Sequence, residues 1–100
     1  MGDLRGKRAL VTAGGQGIGL AITKALLRSG CSVVLHYLSS KVDLEELRRE
    51  TGAGGEVVLG QNQADLRDPG EADSLVGSAV EILGGLDILV NNAGSLVERR

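Results

Sequence analysis

The chain has 100 residues, a mass of 10.3 kDa, a formal charge of −2 and a pI near 5.3, which fits one small domain and argues against a duplex-binding surface. The sole aromatic residue, Tyr37, argues against a base-stacking platform, while Cys31 and His36, each alone of its kind, argue against an intrachain disulfide, a zinc site or Ser-His chemistry. Sixteen Leu, 4 Ile and 10 Val are enough to build a core, yet no apolar run approaches the roughly 18 residues of a membrane span.

Arg8-Ala9-Leu10-Val11-Thr12 is a short apolar run that stops at glycines and reads as a buried strand. Ile18, Ile22, Ala25 and Leu26 then recur at helical spacing, with Gly30 where a helix C-cap belongs. Residues 32–37, Ser-Val-Val-Leu-His-Tyr, are rich in β-formers and make a second strand. Ser39 or Ser40 is expected to cap a helix through about Thr51, with Leu44 and Leu47 inward, Glu45 and Arg49 paired on its solvated face, and Gly52 at its end.

Glu56 to Leu59 is expected to form a third strand. Asp68-Pro69-Gly70-Glu71 starts a helix, with Asp68 as N-cap and Pro69 at its first position. Ala72, Leu75, Val76, Ala79, Val80 and Leu83 give that helix an apolar stripe, and Gly84-Gly85 ends it. Leu86 to Val90 is a fourth strand. The order βαβαβαβ implies an α/β fold: a parallel sheet with right-handed crossovers and helices on both faces.

The segment carrying chemistry is Thr-Ala-Gly-Gly-Gln-Gly-Ile-Gly at 12–19, between the first strand and the first helix. Glycines here let the backbone approach a ligand closely, and the helix N-terminus favours a phosphate. A turn that needs glycine only for its own geometry is the alternative. The loop does not match G-x-G-x-x-G, and Leu20 stands where a Walker loop requires Lys, which disfavours a nucleoside triphosphatase.

This loop resembles the Thr-Gly-x-x-x-Gly-x-Gly motif of the short-chain dehydrogenases/reductases. Asn91-Asn92-Ala93-Gly94 resembles that family's second signature, and Asp65-Leu66 its adenine-contacting pair. The resemblance spans essentially residues 1–100 and implies the N-terminal part of a Rossmann-type dinucleotide-binding domain, strand order 3-2-1-4. It departs at Ala13, where the family has glycine; a positive φ there would cost about 1 kcal/mol.

The resemblance implies that Gly15, Gln16, Gly17, Ile18 and Gly19 line the pyrophosphate and adjoining ribose of a nicotinamide dinucleotide. Asp65 and Leu66 would hold the adenine edge, and Asn92, Ala93 and Gly94 would pass along the adenosine ribose, while Thr12 and Asn91 tie strand ends together. His36-Tyr37-Leu38-Ser39-Ser40 resembles the NADPH-binding stretch of pteridine reductases, which makes His36, Ser39 and Ser40 candidate cofactor contacts. No acid follows the second strand until Asp43, so NADP(H) is favoured over NAD(H). Gln16, where many NADP-using members carry Arg or Lys, points the other way.

The family's catalytic Asn, Ser and Tyr-x-x-x-Lys come after the Asn-Asn-Ala-Gly signature and are not among these residues. Tyr37 to Lys41 has that spacing by chance, because it follows the second strand on the adenosine side rather than lying on a helix beside the nicotinamide. No catalytic or metal-binding residue is therefore expected in this segment. By this resemblance a full-length form would interconvert a small carbonyl and an alcohol, or reduce a related double bond, in the manner of 3-oxoacyl-carrier-protein reductases or glucose dehydrogenases, as a cytoplasmic homo-oligomer without nucleic-acid or membrane partners. The alternatives are a non-catalytic dinucleotide-binding or interaction module, and one half of a split enzyme that docks through its fourth strand.

Overall fold

Ala9, Leu10 and Val11 are completely buried in a row, the signature of a central parallel strand covered on both faces. The structure is a computed structural model that describes residues 3–92. Its elements are β1 (Arg8–Val11), α1 (Gly17–Arg28), β2 (Ser32–Tyr37), α2 (Leu44–Thr51), β3 (Leu59–Gln63), α3 (Pro69–Leu83) and β4 (Ile88–Val90). The strands form one parallel sheet in the order β3-β2-β1-β4, the expected Rossmann-type arrangement. Val11 stands beside Leu35 on one side and Val90 on the other.

Alternate residues feed two cores. Ala9, Val11, Val33 and Leu35 pack with Leu26 and Leu27 of α1 and Leu47 of α2. Leu10 and Val34 face the other way, onto Ala64 and onto Leu75, Ala79 and Leu83 of α3. Full burial of one such Leu or Val side chain is worth roughly 1.5–3 kcal/mol. Within the α3 stripe Val76 and Val80 remain exposed. At the base of the sheet, Asp87 accepts hydrogen bonds from the Arg8 N–H and Nε, each at 3.0 Å, and so fixes β4 against β1.

The fourth strand begins at Ile88 rather than Leu86, and two other boundaries differ more from expectation. The third strand is Leu59–Gln63 rather than Glu56 to Leu59. Before it, the Arg48 guanidinium donates to the carbonyls of Gly54 (2.7 Å) and Val57 (3.0 Å), holding that stretch as a turn while Val57 enters the core. Polar Gln61, Asn62 and Gln63 then become strand because they lie in register with Leu35, His36 and Tyr37. Pairing overrides their weak β propensity.

The second helix begins at Leu44, and neither Ser39 nor Ser40 caps it. Asp43 does, its Oδ1 accepting the Glu46 N–H at 3.1 Å. Asp with Glu three residues on is a capping-box pattern, and it lies nearer the apolar periodicity than the serines do. Asp68 caps α3 as expected, accepting from the Gly70 N–H at 2.9 Å.

Candidate functional site

The strand order steps outward from β1 through β2 to β3 and then returns to the other side of β1 at β4, with α1 and α2 on one face of the sheet and α3 on the other. In an open α/β sheet the crevice beyond the carboxyl ends of the strands at such a point is the place for a ligand. Residues 12–16 cross this crevice between β1 and α1. Ala13 adopts φ +51°, the left-handed conformation that glycine would take without strain. Its N–H donates to His36 Nδ1 at 2.9 Å, and its carbonyl accepts from Asn92 Nδ2 at 3.4 Å. The Gly14 N–H donates to the His36 carbonyl at 3.0 Å, and Thr23 Oγ1 donates to the Gly14 carbonyl at 3.1 Å.

The rest of the loop lies open. Gln16, Gly17 and Ile18 are exposed, and Ile18 shows 74% of its surface, an unusual state for an isoleucine at a helix start. Gly15 is half-buried against Val42. A Cβ on Gly19 would collide with the Ala13 carbonyl, so the first turn of α1 can close onto the loop only with glycine at that position. Helix α1 has Gln16 at its N-cap without a side-chain cap bond, and its first intrahelical bond runs from the Leu20 N–H to the Gln16 carbonyl. The N–H groups of such a first turn, together with the helix dipole, suit an anion.

At the end of β2, Ser39, Ser40 and Lys41 are exposed side by side. Their loop is held by two glutamines that the sequence patterns did not single out. Gln61 donates to the Val42 carbonyl and accepts from the Val42 N–H, both at 2.9 Å, and Gln63 donates to the Leu38 carbonyl at 3.0 Å. Their spacing of two places both on one face of β3, a signal that becomes readable once the strand is placed there.

His36 is 4% exposed, and its Nε2 lies 2.9 Å from the Ala64 carbonyl. With Nδ1 already taken by Ala13, main-chain groups engage both ring nitrogens and leave neither for a ligand. The residue expected to contact the cofactor is thus a brace beneath the loop. Tyr37 closes β2 and Lys41 lies in the loop after it, so the two do not share a helical face.

Just after β3, Asp65 and Leu66 are half-buried, and Leu66 packs against the α3-side core. The Asp65 carboxylate accepts from the Arg67 N–H (3.1 Å), Nε (3.0 Å) and Nη2 (2.8 Å). These bonds hold its pKa down at about 2. Its own N–H donates to Glu71 Oε1 at 2.7 Å. Across the crevice, Thr12 Oγ1 donates to the Val90 carbonyl (3.3 Å) and to Asn91 Oδ1 (3.4 Å), joining the ends of β1 and β4. Asn92 reaches the glycine loop through Ala13, while Ala93 and Gly94 lie outside the described residues.

A hollow of about 370 Å³ sits at the opposite ends of the strands, bordered by Arg5, Gly30, Gly54 and Glu56. Arg5 is spent there on Asp3, and no helix N-terminus opens into it, so it does not compete with the loop as a ligand site. No helix among the described residues is long and apolar enough to cross a membrane.

The family model for short chain dehydrogenases matches residues 7–100. An uncharacterized oxidoreductase of Methylorubrum extorquens is 44% identical over 95 residues, covering 94% of this chain and 38% of that protein. A blue fluorescent protein from a metagenomic library, solved in complex with NADPH, superposes with TM-score 0.78 at 37% identity, covering 92% of this chain and 38% of its own. An NADH-dependent reductase solved with NAD superposes with TM-score 0.75 at 33% identity, covering 86% and 35%. The chain therefore spans between a third and two fifths of the length of these relatives. Fold, loop and family match agree: the chain belongs to the short-chain dehydrogenases/reductases.

Proposed function

We propose that residues 1–100 are the NADP(H)-binding part of a Rossmann domain, in an oxidoreductase that moves a hydride between the cofactor and a carbonyl or alcohol substrate. The observation that carries this reading is the cradle over Gly15–Gly19: an uncapped helix start against a loop whose approach a Cβ at Gly19 would block. Gly15, Gln16, Gly17, Ile18 and Gly19 hold the pyrophosphate with main-chain N–H groups. Asp65, ionised and held in place by Arg67, accepts from the adenine amino group, with Leu66 against the ring. Asn92, with Ala93 and Gly94 after it, borders the adenosine ribose. When bound, the cofactor would supply or accept the hydride; the family resemblance puts the acid/base groups beyond the Asn-Asn-Ala-Gly signature.

Ser39, Ser40 and Lys41 support NADP(H) over NAD(H). Two hydroxyls and an ammonium, exposed on a loop that Gln61 and Gln63 hold in place, suit a 2′-phosphate, and no carboxylate ends β2 to repel it. One relative was solved with NADPH and another with NAD, so both cofactors occur on this frame. On the family resemblance alone, the same reading takes the enzyme to be a cytoplasmic homo-oligomer that works on small carbonyl compounds. Replacing Lys41 by Ala removes one charge-assisted contact and should weaken NADPH about tenfold while leaving NADH within about twofold. Paired fluorescence titrations check this, and an equal loss for both cofactors contradicts the phosphate role.

A further inference from the structure

The brace formed by His36 joins parts of the crevice that are distant in sequence. Its Nδ1 accepts from the Ala13 N–H in the glycine loop, and its Nε2 faces the Ala64 carbonyl, one residue before Asp65. The main chain adds to this, with the His36 carbonyl accepting the Gly14 N–H and the Tyr37 carbonyl the Ala64 N–H. A nitrogen that accepts from an amide carries no proton, and one that faces a carbonyl must carry one. The ring is therefore the neutral Nε2–H tautomer, with the imidazole spanning from the phosphate side of the crevice to the adenine side. Ala13 makes the brace consequential: at φ +51° its peptide is held in a costly conformation, by His36 at the N–H and by Asn92 at the carbonyl.

We infer that His36 is a positioning residue for dinucleotide binding, which holds the glycine loop and the Asp65 turn in mutual register without touching the ligand. The inference rests on the cofactor reading above. Losing the Nδ1 acceptor leaves a part-buried Ala13 N–H unsatisfied and lets the strained peptide relax, so the pyrophosphate cradle shifts. Losing the Nε2 donor frees Ala64 and, with it, the carboxylate beside it.

Three variants of the purified protein separate positioning from bulk stability. His36→Leu fills the space with neither polar atom, His36→Asn sets its Oδ1 where Nδ1 accepted, and His36→Gln extends toward Ala64 without that acceptor. NADPH affinity should fall about tenfold in His36→Leu and recover in His36→Asn more than in His36→Gln, in an order that differs from that of their melting temperatures. Affinity that follows melting temperature across the three, or that stays at the wild-type value in His36→Leu, overturns the inference. Should His36→Leu fail to fold, the order of Asn and Gln still decides. In the wild type, imidazole ¹⁵N shifts should show a protonated Nε2 and a bare Nδ1; a proton on Nδ1 overturns the brace. Wild-type protein that binds neither NADPH nor NADH refutes the cofactor reading instead, and the inference falls with it.

Discussion

Ala13 occupies the left-handed region with a Cβ that clashes with its own backbone there, and three neighbours keep it in place: His36, Asn92 and the close-packed Gly19. Ala13→Gly should therefore raise stability by roughly 1 kcal/mol, visible as a higher melting temperature, without weakening cofactor binding. Asp65 makes a second prediction at this scale. Its folded pKa, about 2, lies below the ordinary 3.8, so the carboxylate's contribution is fully present above 3.8 and is lost as pH falls through about 2. Asp65 should stay ionised across the neutral range, and Arg67→Ala should move its titration up toward 3.8, as read by carboxyl ¹³C shifts. The glycine loop was visible in the sequence from its place between a strand and a helix, whereas Asp65 and Asn92 stood out only through the family resemblance. The role of His36 was not visible, because a histidine near the end of a strand looks the same whether its ring meets a ligand or two main-chain groups.

Helices α2 and α3 each start on an aspartate, and in both cases the carboxylate accepts a main-chain N–H of the first turn. Asp43→Ala should cost about 1 kcal/mol of stability, whereas Ser39→Ala and Ser40→Ala should each cost under about 0.5 kcal/mol. Chemical denaturation of the three variants checks this, and a serine loss equal to that of Asp43 would contradict the observed cap. Periodicity located α1 and α3 closely, since each presents a long apolar face, and a run of β-formers located β2. It misplaced β3, where the apolar Val57-Val58 precedes the strand and polar Gln61-Asn62-Gln63 forms most of it. Which residues pair with β2 is a tertiary fact, settled by register with Leu35, His36 and Tyr37 and by the grip of Arg48 on the preceding turn.

Across the whole molecule, the two ends of the sheet are specialised. The amino ends of β1 and β4 are locked by the Arg8–Asp87 pair, and the carboxyl ends carry the glycine loop, the Ser39–Lys41 loop, Asp65 and Asn92. Among the described residues β4 pairs with β1 alone and Leu89 is 55% exposed, so the sheet has an apolar edge beside the crevice. The alternation of elements made the strand order readable, because right-handed crossovers leave few other ways to bury both faces of β1 and β2. The substrate side was not readable, since none of the residues that would meet a substrate was identified in this segment. The central claim concerns the crevice, and calorimetric titration of the protein with NADPH and NADH side by side tests it most directly. One dinucleotide per chain, with NADPH bound more tightly, is the predicted result; binding of neither cofactor, or tighter binding of NADH, would contradict it.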